Sequence, residues 1–119
     1  MKAIPMDSLK SCTTNWTKIF MAGDLATAKN VCRQFTFKEG LCVTIEPTSY
    51  IYTGGEEAGF VVGFINYPRF PNESLCAQLA LALQLAHELL DACSQWSFSI
   101  MTPTETHWYT RRPSTKLNA

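Results

Sequence analysis

Charge is scarce in this chain, and it cancels. Of 119 residues, 17% are charged, with ten basic and ten acidic. A neutral chain has no overall pull on nucleic acid or anionic lipid, so such binding would need a local patch. Histidine is scarcer still, at two residues. With no Cys-x-x-Cys pair to join them, a zinc site is not expected, and neither is any other metal or cofactor. No Gly-x-Ser-x-Gly occurs, which speaks against a serine nucleophile on a strand-to-helix elbow. No apolar stretch approaches the ~20 residues that span a bilayer. Met1-Lys2-Ala3-Ile4-Pro5 lacks the apolar centre of a signal peptide, so a cytoplasmic location is expected.

What is present suits one domain. The apolar share is 46%, ordinary for a globular chain of this length. Residues 1–112 read as a single unit, and the polar stretch 113–119 reads as a frayed tail. Low charge on an apolar chain leaves surface for self-association, and a homo-oligomer is expected. The five cysteines, Cys12, Cys32, Cys42, Cys76 and Cys93, each fall on an apolar face. That favours reduced, buried thiols over a reactive one. Cys32, which precedes Arg33, is the only candidate for reactivity.

The predicted class is α+β: a helical hairpin, an antiparallel sheet of about five strands, and a long helix between strands 3 and 4. Leu9, Cys12, Trp16, Ile19 and Phe20 recur at helical spacing, which predicts a helix over Asp7–Met21. Gly23 then stops one helix and Asp24 caps the next, with Leu25, Ala28, Cys32 and Phe35 as its buried stripe. Strands are predicted over 41–45, 49–53, 59–66, 96–101 and 106–111. Breaks are expected at Pro47-Thr48 and Pro103-Thr104. Both strand pairs end in Tyr-Thr, which reads either as a degenerate duplication or as common sheet punctuation. Asn72 is the expected cap of a helix over Glu73–Ser94. That helix carries two apolar stripes. The second, with Leu81 and Leu85, is expected to face either the helical hairpin or another subunit.

The candidate site residues lie in three clusters. Gly54, Gly55, Glu56 and Glu57 form an acidic hairpin turn, where glycine supplies positive φ and lets a ligand approach the backbone. The two carboxylates could divide acid and base roles, although neighbours on a strand face opposite ways. Asn66, Tyr67, Arg69 and Phe70 follow the third strand. There a guanidinium fork can clamp an anion, and rings can stack on a base. His107, Tyr109 and Arg111 alternate on one face of the last strand, with Trp108, Thr110 and Arg112 on the other. The first trio is a plausible anion surface, and charges on an edge strand also guard against aggregation.

The runs Gly40–Thr48, Tyr50–Glu57 and Asn66–Pro71 resemble a group of short bacteriophage proteins without assigned activity. The similarity extends from about Ala22 to Arg112. It implies a small protein made in the cytoplasm of an infected bacterium, one that acts on host machinery or counteracts host defence. The resulting expectation is a non-catalytic accessory protein. It would bind a host protein or a small anionic, nucleotide-like ligand through the acidic turn and the Tyr67/Arg69/Phe70 connection. One alternative is a small hydrolase-like enzyme using Glu56 or Glu57 with His107. The other is a nucleic-acid-binding module, which the neutral charge disfavours.

Overall fold

The structure is a computed structural model that describes residues 9–68 and 74–113. The expected α+β class holds: two helices and five antiparallel strands, with the longer helix between the third and fourth strands. In chain order these are β1 (Trp16–Ala22), α1 (Leu25–Glu39), β2 (Thr44–Tyr52), β3 (Gly55–Ile65), α2 (Leu75–Ala92), β4 (Ser97–Met101) and β5 (Thr106–Thr110). The sheet order is β2-β3-β1-β4-β5. The first six elements make two interleaved split βαβ units of the ferredoxin-like kind, and β5 adds an edge strand.

The helical hairpin is not formed, because Trp16–Ala22 is a strand. Trp16, Ile19 and Phe20 satisfy a helical period. Thr17, Ile19 and Met21 equally satisfy a period of two, and all three are buried. Sheet pairing decides between them. β1 is the central strand, hydrogen-bonded to β3 on one side and β4 on the other. Its β-branched and aromatic residues fit that position better than a helix.

Asp24 caps α1 as predicted: its carboxylate accepts from the Thr27 N–H at 2.9 Å and the Thr27 hydroxyl at 2.8 Å. Those two bonds, the backbone one foremost, lower the Asp24 pKa. Gly40 ends the helix in the left-handed region, with φ 70°. α2 is capped by Ser74, whose hydroxyl accepts from the Ala77 N–H at 3.0 Å. Asn72, the expected cap, lies outside the described residues. Pro47 does not break β2, which runs through it to Tyr52. β2 is an edge strand, where a missing N–H is tolerated. The two Pro-Thr segments are therefore unlike: one is a continuous strand and the other the corner between β4 and β5.

Both helices cover the same face of the sheet. Ile19, Met21, Phe60, Val62, Phe98 and Ile100 meet Ala28, Cys32 and Phe35 of α1 and Leu85, Leu89 and Leu90 of α2. The second stripe of α2 is thus consumed inside the chain. Leu85 and Leu89 are fully buried, and Leu81 packs on the core. The core also holds one polar pair. The Thr17 hydroxyl donates to Gln78 Oε1 at 2.8 Å, and both residues are wholly inaccessible. Partnered in this way, neither group carries the penalty of an unsatisfied buried dipole.

The hairpin turn between β2 and β3 refines the glycine reading. Positive φ occurs at Gly54, at 85°, and not at Gly55. A side chain at Gly55 would meet only the ring of Tyr52, which is half exposed and can swing away. Gly54→Ala is therefore expected to cost ~1–2 kcal/mol in a thermal melt, and Gly55→Ala about 0.5 kcal/mol or less. The reverse order would place the strain at Gly55.

Candidate functional site

The face of the sheet turned away from the helices is open. Strand alternation places Trp16, Lys18 and Phe20 of β1 on it, with Val61 of β3, Ser97 and Ser99 of β4, and Trp108 of β5. Phe20 lies between Val61 and Ser99, and Ser99 pairs with Trp108. At the end where β1 stops and β4 begins, this face sinks into a cleft of about 290 Å³. Its floor is Phe20, Ser97 and Ser99. Tyr50 and Glu57 stand on one rim, and Trp96, Trp108 and Arg112 on the other.

Local chemistry fixes each wall. Tyr50 crosses over Gly59, where any Cβ would strike its ring at 2.6 Å. Its hydroxyl then donates to the Phe60 carbonyl at 2.8 Å. Burial raises the Tyr50 pKa, partly offset by a bond from the Met21 backbone. Glu57 pairs directly with Tyr50 across the hairpin. Opposite them, Trp96 and Trp108 are large indoles left 47% and 66% exposed, open enough to act as stacking platforms. The Arg112 guanidinium lies 5.6 Å from the Trp96 ring centre. The site thus offers aromatic faces between one carboxylate and one guanidinium.

The expected site residues do not form one constellation. Gly54, Gly55 and Glu56 lie at or beside the β2–β3 turn, and of the acidic pair only Glu57 lines the cleft. Glu56 shares its parity with Phe60 and so faces the helix side. Asn66 and Tyr67 lie beyond the opposite end of β3, roughly 30 Å along the strand from Glu57. Asn66 is a structural clamp. Its side-chain amide donates to the Thr13 carbonyl at 2.6 Å, and its backbone N–H to the Asn15 carbonyl at 2.9 Å. Tyr67 has its pKa raised by burial and by a bond with Cys42. Arg69 and Phe70 lie outside the described residues.

The trio on β5 also turns away from the cleft. His107 and Tyr109 pair with Ile100 and Phe98, on the helix-covered side. Tyr109 stacks on Phe98 at 5.2 Å, and His87 meets Tyr109 edge-on at 4.8 Å. His107 Nε2 is 2.9 Å from Glu105. Glu57 and His107 stand on opposite faces three strands apart, so no acid–base pair forms between them. Arg111 fastens the end of α2. It reaches Asp91 at 2.6 Å, the Gln95 carbonyl at 3.0 Å and the Leu90 carbonyl at 3.3 Å. A cation is favourable at that helix terminus.

The cysteine expectation holds for Cys32 alone, since Cys42 and Cys76 are exposed and Cys12 and Cys93 lie between. Burial, then the neighbouring Cys93, pushes the Cys32 thiol up to about 11, which makes it a poor nucleophile. Trp96, Trp108 and Arg112 were not expected at the site. The signal that could have found Trp108 and Arg112 is the alternation of β5, whose other face they help to build; Trp96, just ahead of β4, carries no such signal.

No known family profile and no curated protein matches this chain. Solved structures do. A phage SAM lyase in its apo state superposes with a TM-score of 0.62 at 14% identity, covering 85% of this chain and 92% of that one. A phage SAM lyase in complex with S-methyl-5'-thioadenosine gives a TM-score of 0.51 at 12% identity, over 82% and 89% of the two chains. At such identity the likeness is one of fold.

Proposed function

We propose that this chain is a phage-type protein that binds S-adenosylmethionine in the open-face cleft and cleaves it to S-methyl-5'-thioadenosine. The observation that carries the reading is the pairing of exposed indoles with a carboxylate in one cleft, on a fold shared with a phage SAM lyase. An adenine ring is a flat π surface and stacks on indole. A sulfonium is a cation. It is attracted to the indole faces and to Glu57, the sole carboxylate lining the cleft among the described residues. In cleavage the electron pair of the broken carbon–sulfur bond stays on sulfur and discharges the cation, while the substrate's own α-carboxylate bonds to the γ-carbon left behind and closes a lactone, so that no other reactant is needed. Glu57 therefore contributes to holding substrate more than to the rate of the step. Removal of a methyl donor would act on host machinery that consumes it, methylation-dependent defence included. This reading takes the small-ligand branch of the sequence expectation and replaces a non-catalytic role with a lyase.

The test is calorimetric titration with S-adenosylmethionine, and chromatography for released S-methyl-5'-thioadenosine. Trp108→Ala is expected to weaken binding ~10-fold, the value of one stacked base. Glu57→Gln is expected to raise KM ~10-fold or more while kcat falls much less, because it removes a charge-assisted contact. Absence of saturable binding by the wild-type protein would end the reading.

A further inference from the structure

Adjacent arginines follow β5, and strand alternation sends them to different duties. Arg111 is spent on Asp91 and the last carbonyls of α2. Arg112 points the other way, into the cleft. Its backbone N–H donates to the Thr110 hydroxyl at 3.2 Å, and its guanidinium rests near the face of Trp96. Among the described residues it forms no ion pair. A planar guanidinium near an indole is held in place with its donor fork open, a geometry suited to a carboxylate.

Glu57 and Arg112 stand on β3 and just beyond β5, three strand spacings or about 14 Å apart at the backbone. Their side chains shorten the gap between the charges, and Arg112 leans over Trp96, which precedes β4. Opposite charges at two rims of one cleft suit a ligand that carries both signs. A nucleoside polyphosphate would satisfy Arg112 but bring its remaining charge toward Glu57.

We infer that Arg112 is a specificity residue that grips the α-carboxylate of the amino-acid arm of an adenosyl ligand, so that the cleft distinguishes intact substrate from thioether product. This rests on the adenosyl reading of the same cleft. S-Methyl-5'-thioadenosine has neither the carboxylate nor the sulfonium, so it loses both handles on leaving. Product escape is thereby built into the charge pattern.

Three ligands separate the roles. S-Adenosylmethionine has the carboxylate and the sulfonium, S-adenosylhomocysteine the carboxylate alone, and S-methyl-5'-thioadenosine neither. Dissociation constants are measured for the wild type, Arg112→Gln and Arg112→Lys. Arg112→Gln is expected to weaken the first two ligands about 10- to 100-fold and leave the third within about twofold. Arg112→Lys should recover part of the loss, since it restores charge without the fork. A parallel loss for all three ligands would overturn the inference and make Arg112 a prop for Trp96. Unchanged constants, or a wild type that does not prefer the carboxylate ligands, would overturn it while the adenosyl reading stands. A wild type that binds none of the three removes both.

Discussion

Leu85→Glu is expected to leave no folded protein. Leu85 is wholly inaccessible, in the layer that α2 lays against the sheet and α1. Truncating such a leucine typically costs ~2–5 kcal/mol. Burial of a carboxylate adds several kcal/mol more, even if the group takes up a proton. The sum reaches the ~5–15 kcal/mol that holds a domain together. Read as an exposed stripe, Leu81 and Leu85 would instead tolerate glutamate and change only the oligomer size. Circular dichroism and size exclusion on Leu85→Glu decide between these. A cooperative melt near that of the wild type would return the stripe to the surface.

The second large effect is expected at Gly59→Ala. Gly59 pairs with Ala22 of β1 on one side and Thr48 of β2 on the other. A methyl there runs into the Met21 carbonyl oxygen, and it would sit 2.6 Å from Tyr50 Cε2 and 2.8 Å from Ala22 Cα. Two of those atoms are backbone of the central strand, which pairs there with β3 itself. They can move away only by breaking that pairing, so the expected cost is about 3 kcal/mol, or ~10 °C in melting temperature. Tyr50 would be lifted from its bond to Phe60, and the cleft would lose a wall. Gly63→Ala is the control. Its methyl meets chiefly the Thr44 hydroxyl at 2.5 Å, a group on an exposed edge residue that can rotate away. Equal melting losses at the two positions would show that the backbone of β1 is not the obstacle.

Much of the fold was legible locally. Asp24 is a cap residue with its own chemistry, and the long apolar run of β3 reads as an inner strand, which β1 and β2 flank. Pro103 marks a corner. β1 was not legible, since Trp16 to Met21 fits both periods and only pairing with β3 and β4 chooses. The site was harder. Alternation correctly separates Glu56 from Glu57, and on β5 it separates His107, Tyr109 and Arg111 from Trp108 and Arg112. It cannot say which of the two faces the helices will cover. That depends on strand order, which brings Glu57 and Arg112 to one cleft from distant parts of the chain and leaves no local motif.

That strand order has a consequence for biosynthesis. β1 leaves the ribosome before the four strands it shares a sheet with, yet it ends in the middle of that sheet. Phe20 must wait for Val61 on one side and for Ser99 on the other. Until β4 emerges, a nascent chain carries an open strand edge beside an apolar core, a state prone to pairing with other chains. Distant partners of this kind also slow folding, because the loops between them must close first. The cleft draws its walls from β2 and β3 and from the segments around β4 and β5, so it exists only once the chain has been made through Arg112. A ligand bound there can stabilise the finished protein but cannot rescue the growing one.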